Sequence, residues 1–151
     1  MIAQFPNRSL MPVCLGLVAF LGVTVEADFH VLSNLCDSIT SSSTQQTWTQ
    51  NVGCPSDQYN CNCFTDGYAG TFDFSGGPGD GYFWMAGICG GPSSGFNFYQ
   101  TSSGYDFYIN GGDGTLQGQC YSDAGSNTWC NIFGGSCEAS ELLYCSTYWC
   151  S

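Results

Sequence analysis

The distribution of cysteine constrains the fold of this chain more than any other feature. Ten of its 11 cysteines lie between Cys36 and Cys150, and an even number in a short secreted chain predicts a framework of five disulfides. Each bridge typically contributes about 2 to 4 kcal/mol, so several together offset a small hydrophobic core. The pairing does not follow from the sequence, although Cys61 and Cys63 are expected to join two different neighbours to one strand or turn. The cysteines predicted to form disulfides are Cys36, Cys54, Cys61, Cys63, Cys89, Cys120, Cys130, Cys137, Cys145 and Cys150.

The N-terminus has the features of a secretory signal peptide. Arg8 is the only Lys or Arg residue in the chain, and it precedes an apolar run that ends at Glu26. That run is about 15 residues long, whereas a membrane-spanning helix needs roughly 20. Ala27 has the small side chain that a signal peptidase reads before its cut. The sequence therefore predicts a signal peptide over residues 1–27 and one secreted domain over residues 28–151, with no membrane association after cleavage.

The charge balance argues against several classes of partner. The chain has one Lys or Arg against 12 Asp and Glu, and its net charge is −11. Nucleic acids and anionic membrane surfaces bind mainly through cationic side chains, so neither is an expected partner. Extracellular proteins and neutral polysaccharides are therefore the expected partners. The same composition predicts resistance to proteases that cut after Lys or Arg.

The residue pattern after Asp28 predicts a mainly β fold, an antiparallel sandwich or barrel-like sheet stapled by disulfides. Short segments rich in aromatic and β-branched residues alternate with clusters of Gly, Ser, Asn and Asp. A polar loop is expected over residues 38–44. One short C-terminal helix is expected over residues 136–145, with Ser136 as its N-cap and a strand as the alternative. The predicted strands are 29–35, 47–52, 71–74, 82–88, 96–100, 105–110 and 116–121.

Residues 96–110 predict a β-hairpin around a loop at 101–104. If Gln100 opposes Tyr105, one face of the hairpin is aromatic and apolar and belongs to the core. That register also makes Phe98 oppose Phe107 and Phe96 oppose Ile109. The opposite face then presents Asn97, Tyr99, Asp106, Tyr108 and Asn110.

Four stretches of the chain resemble a known group of proteins. They are Asp28-Phe-His-Val, the cluster from Cys54 to Cys63, the segment from Tyr105 to Tyr121, and Leu143-Tyr-Cys-Ser-Thr-Tyr-Trp-Cys150. Together they resemble small secreted cysteine-rich proteins of filamentous fungi, especially uncharacterised basidiomycete ones. The resemblance implies an extracellular, effector-like role and carries no catalytic residue.

The aromatic content favours a binding function. Phe, Tyr and Trp make up 16% of the chain, more than a core of this size needs. Aromatic rings stack on the C–H surfaces of sugars, while Asn, Asp and Gln side chains bond to hydroxyl groups. Tyr99 and Tyr108, flanked by Asn97, Asp106 and Asn110, are therefore candidates for binding a glycan or a protein partner. The alternative is that a second sheet or the C-terminal segment covers them.

No residue pattern identifies an enzyme, a cofactor or a metal site. The chain has no GxSxG nucleophile motif, and oxidised cysteines leave no thiol to pair with its one histidine, His30. His30 lies in a strand-like run, where a packed or half-exposed histidine is commoner than a catalytic one. A Ser-His-Asp triad that uses His30 stays an open alternative. A carboxylate-based glycoside hydrolase is another alternative, but no motif selects an acidic pair. The Gly-Asp turns at 78–82 and 110–114 lack the spacing of a calcium loop. The sequence thus predicts a secreted, non-catalytic protein that binds an extracellular partner, with neutral-glycan binding as the alternative.

Overall fold

The computed structural model describes residues 27–39, 45–66, 73–122, 125 and 127–150. These residues form one short α-helix, α1 (Cys61–Asp66), and 3-10 turns at Ser56–Gln58 and Ile88–Gly90. Within this part of the chain, no helix has the length and apolar character to cross a membrane. The strands are β1 (Ala27–Ile39), β2 (Gln45–Pro55), β3 (Asp73–Ser75), β4 (Tyr82–Ala86), β5 (Phe96–Gln100), β6 (Gly104–Ile109), β7 (Leu116–Ser122), β8 (Asn127–Ile132) and β9 (Gly135–Thr147).

The strands form a single antiparallel sheet in the order β2-β1-β9-β7-β6-β5-β4-β3. One edge of β9 pairs with β1 over nearly its whole length. Its other edge is shared, because β8 pairs with residues 135–140 and β7 with residues 143–147. The sheet curls into a half-barrel, so the expected mainly β fold is confirmed in its barrel-like form.

The larger hydrophobic core fills the inside of the curl. Phe29 on β1 contacts Phe98 on β5, with ring centroids 6.5 Å apart, although three strands lie between them in the sheet. A flat sheet would separate β1 and β5 by about 19 Å at the usual strand spacing. The buried members of this inner core are Phe29, Val31, Phe83, Met85, Ile88, Phe96, Phe98, Tyr105, Phe107, Cys120, Leu143 and Cys145.

A second, smaller core lies on the opposite face of β1 beneath α1. A β-bulge in the β1–β9 pairing falls between Val31, which joins the inner core, and Leu32, which joins the second core. Adjacent residues of one strand point to opposite faces, so β1 serves both cores. Phe64 of α1 belongs to this cluster with Leu32 and is almost completely buried.

Five disulfides join all ten cysteines that follow Cys14. They are Cys36–Cys137, Cys54–Cys63, Cys61–Cys130, Cys89–Cys150 and Cys120–Cys145. Cys61 connects α1 to β8, and Cys63 connects α1 to β2. The two cysteines thus join two different neighbours to one turn, as the sequence predicts, and that turn is helical.

The predicted C-terminal helix is wrong, because residues 136–145 belong to β9. Cys137 lies directly opposite Cys36, and Cys145 lies directly opposite Cys120, so both form cross-strand disulfides. Ser136 is not an N-cap. Its backbone N–H and hydroxyl instead donate to Asp37 Oδ1, at 3.2 and 3.0 Å.

The strands predicted before residue 122 are confirmed with small shifts in their bounds. The predicted strand at 82–88 ends at Ala86, because Gly87 adopts a left-handed conformation with φ of 83° and begins the turn at Ile88–Gly90. The strand that the sequence allowed as the alternative over residues 136–145 is the one present, whereas β8 and α1 were not predicted. Ser38 and Ile39, predicted to begin the polar loop, belong to β1. The predicted signal peptide up to residue 26, residues 40–44 of the predicted loop, and residues 71–72 of a predicted strand lie outside the described residues.

Candidate functional site

The β5–β6 hairpin has the register that the sequence predicts. Gln100 opposes Tyr105, Phe98 opposes Phe107 and Phe96 opposes Ile109. The three phenylalanines are buried in the inner core. The alternate residues consequently lie on the outer face of the curled sheet.

Three tyrosines form a row across the outer face of β4, β5 and β6. Tyr82 lies directly opposite Tyr99, with ring centroids 5.3 Å apart. Tyr99 and Tyr108 follow at 6.0 Å, on adjacent strands. Tyr82 and Tyr99 are each 45% exposed, so the structure does not bury them under another layer. The row is an open aromatic surface.

A chain of hydrogen bonds joins Tyr82 to the polar side chains beside the row. The Tyr82 hydroxyl donates to Asn97 Oδ1 at 2.9 Å, and Asn97 Nδ2 donates to Asn110 Oδ1 at 3.2 Å. Asn110 Nδ2 in turn donates to the Ser94 carbonyl oxygen at 3.1 Å. This chain fixes the amide groups beside the rings. Within the described residues, no hydrogen bond engages the hydroxyls of Tyr99 and Tyr108.

We name this surface the tyrosine platform. It consists of Tyr82, Tyr99, Tyr108, Asn97, Asp106 and Asn110. All five residues that the sequence analysis selected therefore lie together on one exposed face, and the structure adds Tyr82. The alternation of Tyr82-Phe-Trp-Met85 before the hairpin was the available signal for Tyr82, because it predicts a neighbouring strand with the same two-faced pattern.

The platform continues onto β7. Gln119 lies opposite Asp106 and donates to its Oδ1 at 2.8 Å. The Tyr121 hydroxyl donates to Gln119 Oε1 at 3.4 Å, and Tyr121 is as exposed as Tyr99. Asp106 is the only charged residue of the platform, so the surface combines uncharged donors and acceptors with a single negative charge.

In the Gly-Asp turn at 110–114, the Asp113 carboxylate is bonded within the chain. Asp113 Oδ1 accepts a hydrogen bond from the Thr115 backbone N–H at 2.9 Å. Hydrogen bonds from the side chain and backbone of Thr115 lower the pKa of Asp113. Among the described residues, no three His, Cys, Asp or Glu side chains are grouped so that they could hold a metal ion.

The chain was compared with protein-family models, with curated proteins and with solved structures, and none of them matches it.

Proposed function

We propose that this protein is a secreted binding protein that attaches to a neutral polysaccharide through the tyrosine platform. The observation that carries the proposal is the exposed row of Tyr82, Tyr99 and Tyr108 with fixed amide groups beside it. Five disulfides fit an extracellular role, because disulfides form and persist in oxidising compartments. The proposal deepens the predicted role as a partner-binding protein by naming a class of partner.

The platform has the chemistry that a sugar chain requires. Sugar rings present C–H groups on their faces and hydroxyls around their edges. Tyrosine rings stack on the faces, and the amides of Asn97 and Asn110 exchange hydrogen bonds with the hydroxyls. The rings are spaced across three strands, so an extended polymer contacts more of them than a single sugar does. Affinity for a polymer should therefore exceed affinity for a monosaccharide.

Charge selects a neutral polymer. The chain has a net charge of −11 and no Lys or Arg after Arg8. An acidic polysaccharide would be repelled over the distance of a Debye length, about 8 Å at physiological ionic strength. Binding to the neutral polymer should consequently depend little on salt.

A second candidate is binding to a protein, the effector-like role that the fungal resemblance implies. The observation that favours it is a second exposed apolar group on and beside β8, where Trp129 is 68% exposed and Phe133 is fully exposed. Tryptophan is enriched among the residues that dominate protein interfaces. This surface uses β8 and the β8–β9 turn and shares no residue with the tyrosine platform.

The test is a pull-down with insoluble chitin, cellulose and β-glucan. The full chain is expressed in a eukaryotic host, and the secreted protein is incubated with each polymer. We expect retention on at least one polymer, with Tyr99→Ala and Tyr108→Ala each weakening affinity about fivefold, which corresponds to about 1 kcal/mol for a lost stacking contact.

Trp129→Ala is the matched control, because it removes an exposed aromatic side chain away from the platform. It should leave retention unchanged. Failure of the native protein to bind any of these polymers contradicts the proposal, and so does binding that Trp129→Ala weakens while Tyr99→Ala and Tyr108→Ala do not. Either outcome directs the search to a protein partner.

A further inference from the structure

Both ring nitrogens of His30, the only histidine of the chain, have side-chain partners. Nδ1 lies 2.5 Å from Glu141 Oε1, and Nε2 lies 3.0 Å from Ser56 Oγ. The three residues come from segments far apart in sequence, with separations of 26 and 111 positions from His30. They form one hydrogen-bonded line of hydroxyl, imidazole and carboxylate.

Strand pairing brings the three side chains together. His30 lies opposite Tyr144 on β9, and the bulge that follows places Leu32 opposite Glu141. Glu141 is therefore a diagonal neighbour of His30 on the same face. On the other side of β1, His30 lies opposite Cys54, and Ser56 begins the 3-10 turn just after β2 ends.

Neighbouring aromatic residues hold the imidazole and the carboxylate. The Tyr59 hydroxyl donates to Glu141 Oε2 at 3.0 Å, so both carboxylate oxygens are bonded. The rings of Tyr59 and Tyr144 lie 4.3 and 5.3 Å from the His30 ring. The His30 and Glu141 side chains are only 17% and 9% exposed. Ser56, in contrast, is exposed to solvent.

The bonding pattern determines where the protons lie when His30 is neutral. An ionised carboxylate only accepts hydrogen bonds, so Nδ1 carries the imidazole proton and donates it to Glu141. Nε2 is then an acceptor, and the Ser56 hydroxyl donates to it. This is the arrangement in which a histidine withdraws the proton of a serine nucleophile while a carboxylate holds the ring in the required tautomer.

We propose that Ser56, His30 and Glu141 form a site that hydrolyses carboxylic esters whose acyl group carries no charge. Ser56 is the nucleophile, His30 the general base, and Glu141 and Tyr59 are positioning residues. The site is open at the surface, which suits an ester, whose alcohol leaves more readily than the amine of an amide. Asp57 beside the serine and Glu141 beneath the imidazole disfavour an anionic acyl group.

The reaction balances with water as the only co-reactant. Ser56 Oγ forms a bond to the acyl carbon as its proton passes to His30 Nε2. The ester C–O bond breaks, and the alcohol leaves with that proton. Water then gives one proton to His30 and its hydroxyl to the acyl carbon, the bond to Ser56 breaks, and the proton on His30 returns to Ser56 Oγ as the acid leaves.

This site does not depend on the carbohydrate function proposed above. Tyr121, Tyr144 and His30 lie opposite one another on β7, β9 and β1, so the two sites share the outer face of the sheet. They share no residue. Loss of polysaccharide retention in Tyr99→Ala and loss of ester chemistry in Ser56→Ala are therefore separate results.

The test is covalent labelling with a fluorescent fluorophosphonate, together with release of p-nitrophenol from p-nitrophenyl acetate. In the secreted protein, we expect one adduct, located by mass spectrometry on a peptide that contains Ser56. Ser56→Ala should give no adduct, and His30→Ala should slow labelling at least 100-fold, the lower range for loss of a general base. Ser102→Ala is the matched control, because Ser102 is an exposed serine in the β5–β6 loop, and it should label normally.

A separate comparison distinguishes positioning from mere folding. Glu141→Gln should slow labelling about tenfold or more, because an amide can hold the wrong tautomer of His30, and Glu141→Asp should restore part of the rate. The thermal unfolding transition of each variant shows whether that variant is folded. Because Ser56 is exposed, Ser56→Ala should melt at the native temperature. An unlabelled native protein, an adduct on another residue, or labelling of Ser56 that persists in a folded His30→Ala variant would each overturn the proposal.

Discussion

Single residues decide how closely the strands of the curled sheet approach each other. A Cβ atom at Gly118 on β7 would lie 2.3 Å from the Ser146 carbonyl oxygen and 2.5 Å from the Phe107 ring. Gly118 lies opposite Phe107 beside a bulge in the β6–β7 pairing, and Phe107 is fully buried. The missing side chain thus makes room for an aromatic ring of the inner core.

The variant Gly118→Ala should accordingly destabilise the protein. Overpacking of this kind typically costs 1 to 3 kcal/mol, and we expect about 2 to 3 kcal/mol because one of the close atoms belongs to the backbone. Gly81→Ala is the control, since a Cβ there meets nothing within 4 Å and the residue has no left-handed φ. Denaturant unfolding of both variants measures the difference. Equal stability of the two variants would show that β7 and β9 can separate at little cost.

At the scale of elements, local patterns predict some strands and not others. The β5–β6 hairpin follows from its sequence because residues 96–110 alternate within one short, contiguous segment. In β9, by contrast, a bulge at Leu142 reverses which residues face the inner core, so its sequence does not alternate throughout. The segment Ser-Glu-Leu-Leu-Tyr consequently matches a helical turn better than a strand. Long-range pairing with β1, β7 and β8 overrides that preference.

The helix α1 also depends on long-range links. It has six residues, too few for an isolated helix to be stable in water, and it is held by Cys54–Cys63 and Cys61–Cys130. We expect Cys61→Ser/Cys130→Ser to increase hydrogen exchange in residues 56–66 and in β8, while β5 and β6 stay protected. Cys89→Ser/Cys150→Ser is the control, because that bridge does not touch α1. Unchanged exchange around α1 would mean that the Cys54–Cys63 bridge and the packing of Phe64 suffice to hold the helix.

For the whole molecule, the sequence predicted one candidate site and left the other open. The tyrosine platform was predictable because its five selected residues belong to one hairpin. The line of Ser56, His30 and Glu141 was not, because β1, β9 and the turn after β2 meet only in the folded sheet. The disulfide pairing was beyond prediction for the same reason. Composition, in contrast, is a property of the whole chain and needs no fold to interpret.

The composition predicts an unusual response of the secreted protein to proteases. No Lys or Arg follows Arg8, so the proposed cleavage of a signal peptide after Ala27 would remove the only trypsin site. Trypsin should leave the mass of the secreted protein unchanged both before and after reduction of its disulfides. Chymotrypsin, which cuts after aromatic residues, should digest the reduced protein much faster than the native one, because the five bridges and the paired strands restrict local unfolding. Mass spectrometry of the intact chains measures both results.

A tryptic cut after Arg8 would show that the N-terminal segment is retained. Equal chymotrypsin rates for the native and the reduced protein would show that the bridges do not limit access to the chain.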